Sequence, residues 1–251
     1  MISVCIPTYN GEKYIWQQID SIIRQLSDDD EIIISDDGST DKTISIIKSF
    51  CDSRIKIFIH EKSIKNKSDF RFDLTTRNIE NAIKQAKGDY IIMADQDDVW
   101  LTNRVSEVLP LLETYTMVIN DCKIVDKDAD NILKESYFSL VSSKKGMLKN
   151  FMANSYLGCC MAFRKESLEY IMPFPNRPVP HDIWIGLMSE IFGKVYFLNK
   201  PLILYRRHGE NLSNSAESSD NSFSFKIKYR FLLLYSVCLR ILSSTRKSNN
   251  L

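Results

Sequence analysis

The sequence reads as a single α/β domain, a mostly parallel sheet with helices on its faces, on three grounds. Short apolar β-like runs alternate with amphipathic helical stretches through the first part of the chain. Polar clusters stand where those runs stop, at Pro7-Thr8-Tyr9-Asn10, Asp36-Asp37-Gly38-Ser39 and Asp95-Gln96-Asp97-Asp98, and open α/β sheets bind ligands outside the carboxyl ends of their strands. The 251 residues are 44% hydrophobic and 26% charged, a composition that can bury a sizeable core.

The elements follow in order. Ile2 to Ile6 is an apolar run fit for the first strand, and Ile15, Ile19, Ile22, Ile23 and Leu26 form a helical stripe behind Asn10-Gly11. Glu31 to Ser35 is the second strand. Ser39-Thr40-Asp41 offers N-caps to a helix bearing Ile44, Ile47 and Phe50, and Ile55, Ile57 and Ile59 alternate as a third strand. Arg77 to Lys87 is helical and ends at Gly88, which suits a left-handed C-cap; the strand Tyr90 to Ala94 follows. Further on, Met117 to Asn120, Tyr156 to Phe163, Val195 to Leu198 and Leu202 to Tyr205 are strand-like, and Asp182 to Phe192 is helical. The proline-rich stretch from Pro173 to Pro180 delivers His181-Asp182 to the start of that helix.

Several function classes lose support at this stage. The net charge of +1 gives no global reason to expect nucleic-acid binding. Cys5, Cys51, Cys122, Cys159, Cys160 and Cys238 lack C-x-x-C spacing and fit reduced core residues of a cytosolic protein better than a zinc site or a disulfide frame. No basic n-region precedes an apolar segment, and no apolar run reaches the length of a membrane span. Neither a G-x-x-x-x-G-K-[ST] loop nor a G-x-G-x-x-G turn follows the first strand.

Chemistry concentrates at Asp95-Gln96-Asp97-Asp98. Three carboxylates at one strand end repel one another unless a cation sits among them, and hard oxygen ligands suit Mg2+, Mn2+ or Ca2+. A magnesium-type ion held by one or two carboxylates usually completes its shell with substrate phosphate, so a leaving diphosphate is the natural partner. A polar turn capping the next helix is the plainer alternative. From about Ser222 the composition changes. Lys226, Lys228, Arg230, Arg240, Arg246 and Lys247 are interleaved with Phe223, Phe225, Ile227, Phe231, Leu232, Leu233, Leu234 and Leu239, without one acidic residue. This basic amphipathic tail, residues 222–251, suits a helix lying in an anionic interface, or one docking on the catalytic domain or a dimer partner.

Taken in order, Ile6-Pro7-Thr8-Tyr9-Asn10-Gly11, Ser35-Asp36-Asp37-Gly38-Ser39-Thr40-Asp41, Gly88-Asp89-Tyr90 through Asp95-Gln96-Asp97-Asp98-Val99-Trp100, Gly158-Cys159-Cys160-Met161-Ala162-Phe163, His181-Asp182-Ile183-Trp184 and Tyr205-Arg206-Arg207-His208-Gly209-Glu210-Asn211-Leu212-Ser213 resemble the family 2 glycosyltransferases, in particular bacterial enzymes of O-antigen and capsule assembly. The resemblance implies the GT-A fold, a Rossmann-like mixed, mostly parallel sheet flanked by helices. It implies a catalytic domain over residues 1–221, with a nucleotide-sugar half (1–115) and an acceptor half (116–221).

The same resemblance implies the site. Thr8, Tyr9, Asn10, Asp36, Asp37, Arg77 and Asp95 would bind the donor nucleotide, with a carboxylate accepting the imide N–H of the base and the Tyr9 ring stacking on it. For Asp36 and Asp37 a turn with a helix cap is the alternative, and for Arg77 a solvated charge at a helix start. Asp97, Asp95 and His208 would hold Mn2+ or Mg2+, with Asp98 behind them or capping the next helix. Arg206, Arg207 and His208 would close on the diphosphate from a mobile loop. Gly158, Cys159, His181 and Trp184 would line the acceptor side, with Trp100 and Trp184 able to stack on sugar faces. Asp182 would be the catalytic base of an inverting transfer, with helix capping as a compatible second role; His181 replaces the acidic residue common in similar enzymes. The implied partners are a UDP- or dTDP-sugar, a polyprenyl-diphosphate-linked glycan acceptor, the inner face of the bacterial inner membrane through the tail, no nucleic acid, and a possible homodimer. A sugar nucleotidyltransferase and an inactive glycan- or partner-binding relative are the alternatives.

Overall fold

The computed structural model describes residues 1–60, 72–209 and 223–248, the side chains of 223–226 and 245–248 excepted. The described chain runs β1 (Ile2–Thr8), α1 (Ile15–Ile23), β2 (Glu31–Asp36), α2 (Thr43–Ser49), β3 (Ile55–Ile59), α3 (Phe72–Gln85), β4 (Tyr90–Met93), β5 (Val99–Trp100), α4 (Arg104–Val108), β6 (Met117–Val125), β7 (Ile132–Lys134), α5 (Tyr137–Val141), α6 (Met147–Met152), β8 (Met161–Arg164), α7 (Leu168–Ile171), α8 (His181–Phe192), β9 (Val195–Arg206) and α9 (Phe223–Ser248). One sheet takes the order β3-β2-β1-β4-β8-β6-β9-β5, with β7 paired to β6.

Strands β3, β2, β1 and β4 are parallel. Every residue of β1 and β2 is buried, as the near-continuous Ile/Val runs of a sheet covered on both faces require. Each fully buried isoleucine there stabilises the fold by ~1.5–3 kcal/mol. The α1 stripe Ile15, Ile19 and Ile22 is fully buried, and α3 sets Ile79, Ala82 and Ile83 into the core against β1 and β2. Beyond β4 the sheet turns mixed: β8 is antiparallel to both β4 and β6, and β6 and β9 run parallel.

Several local expectations change. Gly88 has no positive φ; a Cβ there would lie 2.7 Å from the Ser3 backbone nitrogen and 2.8 Å from the Ile2 carbonyl carbon. Close approach of the chain to β1 therefore demands glycine, and a left-handed cap does not. The segment Tyr156 to Phe163 is broken by a 3-10 turn at Gly158–Cys160 before β8 begins. The two runs 195–198 and 202–205 fuse into the single strand β9, with Pro201 at a register shift against Asp121, the kind of irregularity where a strand tolerates proline. All six cysteines are free; Cys51 and Cys238 are exposed, and the other four are buried.

The tail is helical, as expected, and part of it docks on the domain. Leu233, Ser236 and Val237 are buried. Arg230 donates to the Met152 carbonyl at 2.6 Å, and Arg240 donates to the carbonyls of Tyr170 and Pro173, both at 2.5 Å. The docking alternative thus describes one face of α9, and two of its arginines point inward to satisfy backbone acceptors. No helix among the described residues is long and apolar enough to cross a membrane.

Candidate active site at the strand ends

The carboxyl ends of β1, β2 and β4 bring the three polar clusters together. Asp37 N–H donates to the Thr8 carbonyl at 2.9 Å and Ala94 N–H donates to the Cys5 carbonyl at 3.1 Å. Gln96 crosses to the first loop, accepting from Tyr9 N–H at 2.9 Å and donating to the Tyr9 carbonyl at 3.2 Å. Gly11 leaves the room for it, because a Cβ there would meet Gln96 Oε1 at 2.5 Å. Asn10, at φ 48°, accepts from Thr40 N–H and donates its own N–H to Ser39 Oγ, each at 2.9 Å. The left-handed conformation favours asparagine among non-glycine residues.

Asp36 is 1% exposed. Its oxygens accept from Gly38 N–H, Ser39 N–H, Ser39 Oγ and the Thr8 hydroxyl. Four acceptor positions on a carboxylate are thereby used, so Asp36 shapes the loop and does not reach a nucleotide base. This corrects its expected role, and it holds Thr8, also buried, on the inner side. Asp37 likewise pairs with His60 Nδ1 at 2.6 Å. Arg77 lies among Asp73, Glu80 and the Pro175 carbonyl, at 3.6, 3.0 and 2.6 Å. It anchors the proline-rich segment to α3 and is not a solvated charge. Tyr9, 48% exposed, remains the residue of this group whose ring is offered to a ligand.

The acidic cluster is arranged in depth. Asp97 Oδ2 meets His208 Nε2 at 2.8 Å, and His208 stacks on Tyr14 with ring centroids 4.8 Å apart. Asp95 lies half-buried behind, its carbonyl accepting from the buried Gln18 amide at 2.6 Å. Burial first, then the charges of Asp97 and Asp182, push its carboxyl up to about 7. Asp98 is fully buried; it accepts Arg206 N–H on Oδ1 at 3.0 Å, while Oδ2 has no hydrogen-bond partner. Its carboxyl is pushed well above the ordinary range by burial and by Asp97 and Asp95. Asp98 precedes β5 and caps no helix.

Oxygens of Asp95 and Asp98 and the Cys159 sulfur all lie within 4.8 Å of one another. Acidic groups held this close, with one orphaned buried oxygen on Asp98, fit a divalent cation. Asp95, Asp97 and His208 are the partly exposed members of this cluster.

Arg206 is corrected outright. It ends β9, is 2% exposed, and donates from Nε, Nη1 and Nη2 to the Asp97 carbonyl, the Lys127 carbonyl and Gln17 Oε1, each at 2.7 Å. Its guanidinium also covers the Tyr14 ring at 4.7 Å. Arg206 is thus a strut beneath the acidic loop and no part of a phosphate-closing loop. Arg207 follows half-buried, its N–H donating to the Val125 carbonyl at 2.9 Å. Residues 210–213, expected to extend this loop, lie outside the described residues.

On the acceptor side, α8 begins at His181 with Pro180 in the N-cap position, so Asp182 does not cap the helix. Its Oδ2 accepts from Asn154 Nδ2 at 2.7 Å and its Oδ1 from Ile183 N–H at 2.8 Å. His181 donates its N–H to Thr76 Oγ1 at 3.2 Å, and burial holds its imidazole below the ordinary value against the pull of Asp182. Gly158 makes room for that imidazole: a Cβ would sit 2.5 Å from His181 Nε2. The space belongs to His181, where a sugar was expected.

Cys159 is 1% exposed and packs behind the acidic loop, which removes it from the acceptor surface. Trp184 is 1% exposed and donates to the Ile171 carbonyl at 2.9 Å. Trp100 is also buried, with the Arg104 guanidinium 4.1 Å from its ring centroid. Neither tryptophan can stack on a sugar. Asn154, Gln96 and Gln18 are the site residues that sequence reasoning did not single out. Gln96 was visible inside the acidic tetrapeptide, whereas nothing local marks Asn154 or Gln18.

The sequence model described as Glycosyl transferase family 2 matches residues 3–172. The chain is 27% identical to the GalNAc(5)-diNAcBac-PP-undecaprenol beta-1,3-glucosyltransferase of Campylobacter jejuni, over 91% of this chain and 71% of the relative. It is 28% identical to the dTDP-rhamnosyl transferase RfbG of Shigella flexneri, over 90% and 77%. In structure it resembles Staphylococcus aureus TarS 1-349, solved with UDP-GlcNAc, at a TM-score of 0.67 and 20% identity; 91% of this chain is covered but only 65% of that one. The ordered motifs, the sheet that gathers them and this match over residues 3–172 lead to one conclusion: the chain belongs to the family 2 glycosyltransferases and has the GT-A fold.

Proposed function

We propose that this chain is an inverting glycosyltransferase that moves one sugar from a UDP- or dTDP-sugar to a hydroxyl of a lipid-linked glycan in bacterial surface-polysaccharide assembly. The observation that carries the reading is the acidic loop at the strand ends, where Gln96 crosses to the first loop and Asp97 meets His208, with Asp182 held by Asn154 at the start of α8. Asp182 takes the proton of the acceptor hydroxyl while that oxygen attacks the anomeric carbon. The bond to the diphosphate breaks on the opposite face, and the nucleoside diphosphate leaves. When bound, Mn2+ or Mg2+ at Asp95, Asp97 and His208 would neutralise the charge gathering on that leaving group. Tyr9 offers its ring to the base, and Gln96 with Asn10 fixes the loop that presents it.

The names of the relatives support the donor and acceptor classes, since one is a glucosyltransferase acting on an undecaprenol-PP glycan and another a dTDP-rhamnosyl transferase. Residues 1–221 serve as the catalytic domain, 1–115 facing the donor and 116–221 the acceptor, with the enzyme peripheral to the cytoplasmic face of the inner membrane. Family membership sets aside the nucleotidyltransferase alternative.

Thermal-shift measurements with UDP, dTDP, GDP and CDP, each with Mn2+ and with EDTA, test the donor site. A metal-dependent rise with UDP or dTDP is expected. No shift with any of the four would count against a nucleotide-sugar site. Asn154→Ala tests the base's orientation: loss of one hydrogen bond to a charged group, ~1.5–3 kcal/mol, predicts kcat lower by about ten- to a hundredfold with donor KM nearly unchanged.

A further inference from the structure

The face of α9 turned away from the domain carries apolar side chains of its own. Ile227, Phe231, Leu234, Tyr235 and Leu242 are 42, 71, 49, 49 and 60% exposed. With the exposed Cys238 they recur at three- and four-residue spacing, which is one continuous stripe on a helix. A second exposed apolar face adjoins it. In α6, Asn150 is buried against the domain while Met147, Leu148 and Met152 are 45, 76 and 59% exposed. The two helices are joined where Arg230 donates to the Met152 carbonyl. An apolar surface of this kind on a folded chain marks an interaction site.

Charge selects the occupant. The tail from Ser222 contains no acidic residue, and residues 142–154 carry Lys144, Lys145 and Lys149, also without one. Lys144, Lys145 and Lys228 are exposed. At the edge of the stripe the Arg177 guanidinium lies 4.6 Å from the centroid of the Tyr235 ring. Glu190 is engaged by Gly146 N–H and the Asn150 amide, and the charges that the two segments themselves carry are all basic. Apolar side chains flanked by such cations complement an anionic lipid surface, where basic residues add attraction to the headgroups and the apolar side chains enter the acyl boundary.

We propose that the outer faces of α6 and α9 together form the surface by which this protein lies on an anionic membrane, deepening the function proposed above and resting on it for the acceptor. The docked face of α9, held by Leu233, Val237 and Arg240, fixes the helix to the domain, so the membrane contact is rigidly tied to the site. Two residues beyond Met152, Asn154 holds Asp182. The surface therefore adjoins the acceptor side, and a glycan on a lipid carrier can reach the base while its carrier stays in the bilayer.

Vesicle sedimentation of the full chain tests this without any turnover. Wild-type protein is expected to pellet with phosphatidylcholine vesicles containing phosphatidylglycerol, and to pellet much less with phosphatidylcholine alone or at high salt. Leu148→Glu/Phe231→Glu should reduce the pelleted fraction at least tenfold, and Lys144→Glu/Lys145→Glu should reduce it several-fold. Both exchanges are on exposed side chains, and an unchanged melting temperature confirms the fold. Wild-type protein that stays in the supernatant, or a Leu148→Glu/Phe231→Glu variant that pellets fully, overturns the proposal. A wild-type dimer on gel filtration that this double exchange converts to monomer, with no vesicle binding, assigns the surface to a second copy instead. Because binding is read directly, an absent nucleotide shift would fail the transferase reading and leave this result standing.

Discussion

Asp182→Asn is expected to slow sugar transfer by ~10²–10⁴-fold, the range that positioned general bases contribute, while metal-dependent nucleotide binding stays nearly intact. The exchange is isosteric and removes only the ability to take a proton. Oδ1 can still accept from Ile183 N–H, as it does now at 2.8 Å; the new amide faces the exposed Asn154 side chain. The signature is a fall in kcat with the donor KM held, read in a radiolabelled-sugar transfer assay. Full transfer by the variant would remove Asp182 as base. His181 would not inherit the role easily, since burial disfavours its protonated form and Gly158 packs directly on its ring.

Asp97→Ala has the second large effect, on donor binding. Asp97 is the member of the cluster that faces His208, at 2.8 Å, and its removal takes one charge from the cation site and leaves the imidazole without its carboxylate. Metal-supported nucleotide affinity should fall by at least about a hundredfold, the upper end of what losing even an outer partner of a metal ligand costs. Calorimetric titration of UDP or dTDP with and without Mn2+ reads it. The fold should survive, because Asp97 is only partly buried and the strut Arg206 binds its carbonyl and not its carboxylate. If wild type and Asp97→Ala were equally inert with every donor, a non-catalytic glycan-binding role would gain.

The tail calls for point exchanges and not deletion. Truncation from Ser222 would strip Leu233 and Val237 from the core and leave the carbonyls of Tyr170, Met172 and Pro173 without the Arg240 donor. A change in fractionation after truncation would then mix unfolding with lost lipid contact.

Much of this protein was legible in the sequence, because local pattern and local chemistry dictate it. Ile-rich runs such as Ile2 to Ile6 and Ile32 to Ile34 become buried parallel strands wherever both faces are covered, and the Ile15-Ile19-Ile22 stripe has one way to hide. Polar clusters at three strand ends must meet once those strands are parallel neighbours, so the acidic loop and the first two loops form one site. Roles that depend on which partner a side chain finds across the fold were not legible. Arg206 looks like a phosphate ligand until β9 places it under Asp97. Asp36 looks like a base reader until its own turn uses its oxygens, and Trp184 looks like a sugar platform until α7 supplies its acceptor. Asn154 carries no local mark at all. Periodicity and short-range motifs carry the fold, the family and the location of the acidic site. Which polar side chains are spent on the protein's own backbone, and which remain for a ligand, follows from tertiary packing, because a buried donor or acceptor must be satisfied by whatever group folding brings beside it.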